Sequence, residues 1–300
     1  MTMKNILIIG CGLIGSSLLR AISHKKIAKK IYVYEKSKSN ISKIKRLRLN
    51  CEITTDFKKI IPNLDLIILC TPISEYQKII SKMNKYLLPK TIITDVGSTK
   101  EKTNFVIEKK LKKGISWTSS HPIAGSEVSG PENGTKDLFL NKWCILIKEK
   151  KTNKKHLVIL SKFWKKVGSK ISIMNSKKHD LIFSMTSHLP HLIAYNLVKT
   201  ATDFENQQKY ELIKYSAGGL RDFSRIASSN EIMWRDIFFN NQNNILKVID
   251  LFIKNLQLFK KDIKLKNNKS IIKKLIDSKK VRKKIIKLKQ DINKPDFGRI

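Results

Sequence analysis

Three clusters of side chains in this sequence have the residue types and spacing that proton transfer and anion binding require. The first is His121-Pro122-Ile123-Ala124-Gly125-Ser126-Glu127. An imidazole of near-neutral pKa can accept a proton from a hydroxyl while hydride leaves the same carbon; taken alone, the residue reads equally as a histidine satisfied by backbone groups in a tight turn. The second cluster is His179-Asp180 followed by Ser187-His188-Leu189-Pro190-His191. On a helix, His188 and His191 share a face with each other and roughly with Ser184 and Tyr195. The spacing lacks the third ligand and poised carboxylate of an HExxH-type site, so no metal is expected. Substrate hydrogen bonding or packing between helices fits the pair better. The third cluster, Gly218-Gly219-Leu220-Arg221-Asp222-Phe223-Ser224-Arg225-Ile226-Ala227 with Met233-Trp234-Arg235-Asp236, holds three of the chain's eight arginines. A planar guanidinium grips a carboxylate at two points, as a lysine cannot. Salt bridges to Asp222 and Asp236 are the competing reading, and one of the three arginines is expected to be structural.

These groups need a scaffold and a reaction partner. Gly10-Cys11-Gly12-Leu13-Ile14-Gly15 matches GxGxxG between a strand-like run and a helix-like one. In that context the first glycine permits the tight turn, the second lets backbone approach a pyrophosphate, and the third allows close helix-on-strand packing. The pyrophosphate then meets a helix N-terminus. Glu35, twenty residues after Gly15 at the end of the second expected strand, is placed to accept hydrogen bonds from the adenine ribose. A carboxylate there favours NAD over NADP, although Lys36 and Lys38 can tolerate a 2′-phosphate; an exposed strand-end charge is the structural alternative. Thr71 and Pro72 of Cys70-Thr71-Pro72, and Gly97 and Ser98 of Asp95-Val96-Gly97-Ser98-Thr99, follow two further strands and are expected cofactor walls or plain turns.

Up to residue 173, short β-branched runs alternate with helix-like stretches, the signature of βαβ units feeding a parallel sheet. Strands are expected at Asn5 to Ile9, Ile31 to Tyr34, Leu64 to Leu69, Thr91 to Asp95, Ile115 to Thr118, Trp143 to Ile147 and Lys170 to Ile173, with His121 following one of them and a helix over 153–167. From Ser176 the apolar residues take helical spacing, as in Leu181, Met185, Leu189, Leu192 and Ile193. The boundary is set at 174/175, with Asn175-Ser176 as an N-cap. The expected fold class is α/β: an N-terminal Rossmann-type doubly wound sheet over 1–174, then an all-helical domain over 175–300. Pro190 predicts a kink or break, and 260–300, ending in Pro295 and Gly298, a surface helix with a frayed tail.

With 41% apolar residues, 300 residues can bury a core in each domain. The net charge of +37 would on its face suggest nucleic acid or an anionic membrane surface. Yet 53 of the basic residues are lysines spread along the chain, and over 179–246 six Lys/Arg meet seven Asp/Glu. The charge thins where the chemistry clusters, so neither nucleic acid nor membrane is expected as a partner. Cys11, Cys51, Cys70 and Cys144 form no CxxC pair. With no secretory h-region at the N-terminus and no apolar run near 20 residues, a cytoplasmic location is expected.

The ordered set GCGLIG, DVGSTK, HPIAGSE, HD with SHLPH, GGLRDFSRIA and MWRDIF resembles the prephenate/arogenate dehydrogenases over roughly residues 4 to 250. HPIAGSE and GGLRDFSRIA are far more discriminating than the glycine fingerprint. The resemblance implies an NAD-dependent enzyme, NADP remaining open, that oxidatively decarboxylates prephenate, L-arogenate or both, as a homodimer held by the helical domain. It implies that His121 accepts the ring hydroxyl proton and that Ser98 orients that imidazole. It assigns His191 and possibly His188 to the substrate, Arg225 to a substrate carboxylate with Arg221 nearby, and Glu127, Asp180, Asp222 and Trp234 to a supporting network. Two rivals differ in testable ways. A β-hydroxyacid dehydrogenase would use a catalytic lysine on the helical domain, and a basic nucleotide sensor would bind nucleic acid with steep salt dependence and form no NADH.

Overall fold

The computed structural model describes residues 3–288 and 290; the expected frayed tail with Pro295 and Gly298 lies outside the described residues. Five strands, β1 (Met3–Ile9), β2 (Ala28–Tyr34), β3 (Glu52–Thr54), β4 (Leu66–Leu69) and β5 (Ile92–Asp95), form a parallel sheet in the order β3-β2-β1-β4-β5. The four helices between and after them are α1 (Leu13–His24), α2 (Lys38–Arg46), α3 (Tyr76–Met83) and α4 (Glu101–Lys110). Ile6–Ile9 of β1 lie in register with Leu66–Leu69 of β4, and all eight side chains are 0% exposed. Strands without polar alternation must be covered on both faces. Ile6, Ile8, Leu66 and Ile68 join Leu18, Leu19 and Ile22 of α1 in one core cluster, while Leu7, Ile9, Ile67 and Leu69 join Ile79, Ile80 and Met83 of α3 in another. The strand order reverses between β1 and β4, and a cleft at the carboxyl ends of that pair is where open α/β sheets bind ligands.

The sheet does not continue as one layer. The expected strand at Ile115 to Thr118 is reduced to a single bridge, Ile93 to Trp117, and the strand forms slightly later as β6 (Ser120–Pro122). The physical reason is Asp95. Its Oδ1 accepts from Ser119 Oγ at 2.7 Å and Ser120 N at 3.1 Å, so a side chain takes the place of a ladder partner. β6 pairs antiparallel with β7 (Trp143–Ile147), which pairs parallel with β8 (Lys170–Met174), giving a separate three-stranded sheet. His121 therefore sits within a strand rather than after one. The short β3 was not anticipated, and α5 (Lys154–Val167) covers this region with Leu160, Phe163 and Trp164.

Asn175 caps α6 (Ser176–Phe183), its side chain accepting from Lys178 N as expected. A π turn, Ser184–His188, then separates α6 from α7 (Leu189–Gln208). Pro190 has no N–H to give to a carbonyl four residues back and its ring crowds that turn, so the expected break takes the form of a widened turn just before it. The chain continues as α8 (Gly218–Ala227), α9 (Glu231–Asn240), α10 (Gln242–Lys264) and α11 (Asn268–Lys287).

The described residues divide into two compact units. One runs to His188 and includes Ser228–Gln242; the other takes Leu189–Ala227 and the residues from Asn243 onward. This partition differs from the expected border at 174/175, because α6, the π turn and α9 stay with the sheets. The reason is packing: His179, Asp180, His188, Trp234 and Ile237 are all buried. The second unit is helical, with α8 packed on α7. It leaves Leu251, Leu256, Leu258 and Ile263 of α10 and Ile272, Leu275 and Ile276 of α11 exposed. No helix among the described residues is long and apolar enough to cross a membrane.

Candidate active site

At the carboxyl end of β1 the chain turns through Gly10 at φ +88°, where a Cβ would fall 2.9 Å from the Cys70 carbonyl oxygen. A Cβ on Gly15 would stand 2.1 Å from Gly10 O, so only glycine lets α1 pack this close to the strand. Gly12, at the N-cap of α1, meets nothing within 4 Å and supplies no side-chain cap. Backbone is thus open to a ligand at the positive end of a helix, the arrangement that receives a diphosphate. Thr71 Oγ1, just past β4, is buried without a hydrogen-bond partner among the described residues. The cradle and this orphaned hydroxyl fit a dinucleotide. Cys11 is a packing residue, since burial pushes its thiol up to about 12.

Glu35 follows β2 and turns its carboxylate toward the glycine turn. Its Oε2 accepts from Cys11 N at 2.8 Å, and Oε1 accepts from Lys36 N at 2.8 Å and Ser37 N at 2.9 Å. The carboxylate fills a pocket of backbone donors beside the glycine turn. An anion held there opposes a second anion and leaves acceptor capacity for hydroxyls. Over the start of α1 lies the loop before β7: Thr135 N donates to Ser17 Oγ at 3.0 Å and Arg20 Nη1 to Pro131 O at 3.0 Å. Gly134 makes this seat possible, because a Cβ there would meet Ser16 Oγ at 2.1 Å.

The candidate reactive centre is a chain of buried side chains beyond β5. His121 Nδ1 lies 2.8 Å from His179 Nε2, and His179 Nδ1 lies 2.8 Å from Asp180 Oδ1. Asp180 also receives Lys100 N on Oδ1 and Glu101 N on Oδ2, each at 2.9 Å. One carboxylate on α6 thereby caps the N-terminus of α4, whose own N-cap residue Lys100 offers no side-chain cap. Phe183 packs against both imidazoles, with ring centroids 5.0 Å from His121 and 4.5 Å from His179. Burial holds the His121 pKa well below the usual histidine value, and the charges of His179, Lys100 and His188 act in the same sense. Burial also lowers His179, with Asp180 opposing.

Lys100 anchors the whole arrangement. Its ammonium and the Asp95 carboxylate are both 0% exposed and 2.7 Å apart, and Nζ also donates to Ser120 O at 2.6 Å. That carbonyl immediately precedes His121. The ion pair fixes the end of β5 to the start of β6 and so sets where the imidazole stands.

A buried histidine with a lowered pKa, in the same unit as a glycine turn that fits a dinucleotide, suits a dehydrogenase site, and comparison with known proteins gives the family. Residues 18–173 match the family model for the prephenate dehydrogenase nucleotide-binding domain, and residues 175–294 the model for its dimerization domain. The chain belongs to the prephenate dehydrogenase family. It is 32% identical to the cyclohexadienyl dehydrogenase of Zymomonas mobilis over 93% of this chain and 95% of that protein. It is also 32% identical to the prephenate dehydrogenase of Bacillus subtilis, over 84% of this chain and 68% of the other. Among solved structures, the prephenate dehydrogenase of Aquifex aeolicus in complex with hydroxyphenyl propionate and NAD+ superimposes with a TM-score of 0.88 at 35% identity, covering 95% of this chain and 99% of that one.

Within this family member, the expected site residues fall into two groups. Gly10 to Gly15, Glu35, Thr71, Pro72, Gly97, Ser98, His121, Glu127, Asp180, His188 and Trp234 belong to the first unit. His191, Arg221, Asp222 and Arg225 belong to the second, on α7 and α8, where both arginines are exposed. Ser98 is half-buried between β5 and α4, while the Nδ1 of His121 is bonded to His179. His188, expected among the substrate residues, is fully buried, with Asn241 Nδ2 3.0 Å from its Nδ1 and Trp234 edge-on at 6.2 Å. Asn241 also donates to Asp180 O at 2.8 Å. In the third cluster, Arg235 makes an ion pair with its neighbour: its Nε and Nη2 both reach Asp236 Oδ1, at 3.1 and 2.7 Å. Sequence reading singled out His179 within the His179-Asp180 doublet without giving it a role, and missed Lys100 and Asn241. A lysine five residues after Asp95 was the available signal for Lys100; nothing local marked Asn241.

Proposed function

We propose that this enzyme oxidatively decarboxylates prephenate with NAD as hydride acceptor, forming 4-hydroxyphenylpyruvate, and that L-arogenate is the alternative substrate to be tested beside it. The observation that carries this reading is the buried His121 imidazole, held neutral one residue beyond the Asp95–Lys100 anchor. Bound NAD supplies a nicotinamide carbon that takes up hydride. The chain's own residues do the rest. Gly10 to Gly15, Thr71, Pro72 and Gly97 seat the dinucleotide, Glu35 accepts from the ribose hydroxyls, and Ser98 helps orient the reacting groups. His121 takes the proton of the ring hydroxyl as hydride leaves the carbon that bears it; the carbon–carboxylate bond breaks, its electron pair completes the aromatic ring, and the proton returns to the ring oxygen. Arg225, with Arg221 and His191, receives the substrate's negative charge by charge-assisted hydrogen bonds. His188, Glu127, Asp180, Asp222 and Trp234 support them. The exposed apolar rows of α10 and α11 favour a homodimer through the second unit, and the reaction suits a cytoplasmic setting.

The test is NADH formation with prephenate and with arogenate, each with NAD and NADP, for the unaltered chain and for His121→Asn. A general base contributes about 10²–10⁴-fold, so His121→Asn is expected to lower turnover by that range while NAD affinity stays within about threefold. Unchanged turnover would remove His121 from the chemistry.

A further inference from the structure

We propose that His179, backed by Asp180, is the positioning residue that fixes which nitrogen of His121 faces the substrate and shares the proton that His121 takes up. The proposal rests on the functional reading above for the identity of the reaction, but its structural half stands on hydrogen-bond logic alone. Asp180 Oδ1 already accepts from the Lys100 N–H and Oδ2 from the Glu101 N–H. These oxygens act as acceptors, so His179 Nδ1, 2.8 Å from Oδ1, must donate. A neutral imidazole that donates from Nδ1 accepts at Nε2. His121 Nδ1, 2.8 Å from that atom, must therefore be the donor, which leaves Nε2 of His121 as its lone-pair nitrogen.

The consequence for catalysis follows atom by atom. When the substrate hydroxyl gives its proton to His121 Nε2, the Nδ1–H of His121 already points at His179 Nε2. Passing that proton along leaves His121 neutral and His179 as an imidazolium against the Asp180 carboxylate, one proton having entered the chain and none having left it. A buried imidazolium is costly unless a counter-charge touches it. His121 touches none, whereas His179 touches Asp180. The directions of the two pKa shifts agree, since burial lowers both histidines and only His179 has a carboxylate directly opposing it. The titratable groups around the pair are His179 and Asp180 on α6, Asp95 at the end of β5, Lys100 before α4, His188 in the π turn and Cys144 on β7. Among the described residues, neither the Asp95 nor the Asp180 carboxylate is hydrogen-bonded to the His121 ring, whose partner is His179.

Two variants separate positioning from mere packing. His179→Leu cannot accept from His121, whereas His179→Gln presents a carbonyl that can accept and an amide that can donate to Asp180. We expect His179→Leu to lose about 100-fold in kcat, within the general-base range, with NAD affinity and the KM for prephenate within about threefold. His179→Gln should recover at least tenfold of that loss. Nitrogen NMR of the imidazoles supplies a readout independent of turnover: His121 Nε2 should be unprotonated in the unaltered protein and a mixture of tautomers in His179→Leu. Equal activity of His179→Leu and the unaltered chain, or a protonated Nε2 in the unaltered protein, would overturn the proposal. An unaltered chain that forms no NADH with prephenate, yet shows the expected tautomer, would instead sink the functional reading and with it the catalytic half of the proposal.

Discussion

Replacing Lys100 by methionine isolates what the buried ion pair does. The substitution keeps the side chain's length and apolar body but leaves Asp95 as a carboxylate at 0% exposure without its counter-charge. Ser119 Oγ, Ser120 N and Gly97 N still donate to it, so the charge is partly solvated by the protein. Breaking one side of a buried pair costs about 3–5 kcal/mol. Domains of this kind have only about 5–15 kcal/mol in hand. With a urea m-value near 2 kcal/mol per molar, the unfolding midpoint should fall by about 2 M. All four tryptophans, Trp117, Trp143, Trp164 and Trp234, lie in the first unit, so their fluorescence reports that unit's transition. The decisive variant is the pair Asp95→Asn with Lys100→Met. It removes both charges and keeps a carbonyl to accept from Ser119 and Ser120, so it should regain most of the loss, to within about 1–2 kcal/mol of the unaltered chain. A single Lys100→Met that costs under about 1 kcal/mol would refute the reasoning, as would a double variant no more stable than either single one. Because Lys100 also holds Ser120 O beside His121, the double variant should remain slow in turnover even where its stability is restored.

Two further outcomes follow from the same geometry. His121 and His179 both titrate below the unfolded histidine value of about 6.5. A folded pKa depressed in this way means that the unfolded chain binds protons more readily, so the contribution to stability is full above about pH 6.5 and is lost as pH falls below it through the folded values. The urea midpoint should drop between pH 6.5 and the acid range, and His121→Asn should flatten that drop; identical slopes would assign the acid sensitivity elsewhere. Glu35→Ser removes the carboxylate while leaving the N–H groups of Cys11, Lys36 and Ser37, with Lys36 and Lys38 beside them, to meet a 2′-phosphate. The ratio of kcat/KM with NADP to that with NAD should rise by roughly tenfold or more, as expected for an acidic ribose-binding position. An unchanged ratio would mean that Glu35 does not discriminate between the cofactors.

What the sequence disclosed and what it withheld divide along the range of the forces involved. The glycine turn was legible because its demands are local: Gly10 must adopt positive φ and Gly15 must let Gly10 O approach, both within six residues. The central strands were legible because both faces are buried, which leaves a run of apolar residues with no alternation. The Asn175 cap and the break at Pro190 are likewise read within one helical turn. Ile115 to Thr118 misled because β-branched residues fit a strand wherever they occur; the choice to pair at Ser120 instead was made by Asp95, twenty-five residues away. The same holds for the reactive centre. Asp180 caps a helix that begins eighty residues earlier, and His179 meets His121 across fifty-eight. A doublet such as His179-Asp180 carries no sign of which partner each side chain will find, since side-chain hydrogen bonds have no periodicity. Family resemblance could name His121 and Asp180 separately, but only the fold joins them through His179, and that join determines which nitrogen of the imidazole is basic.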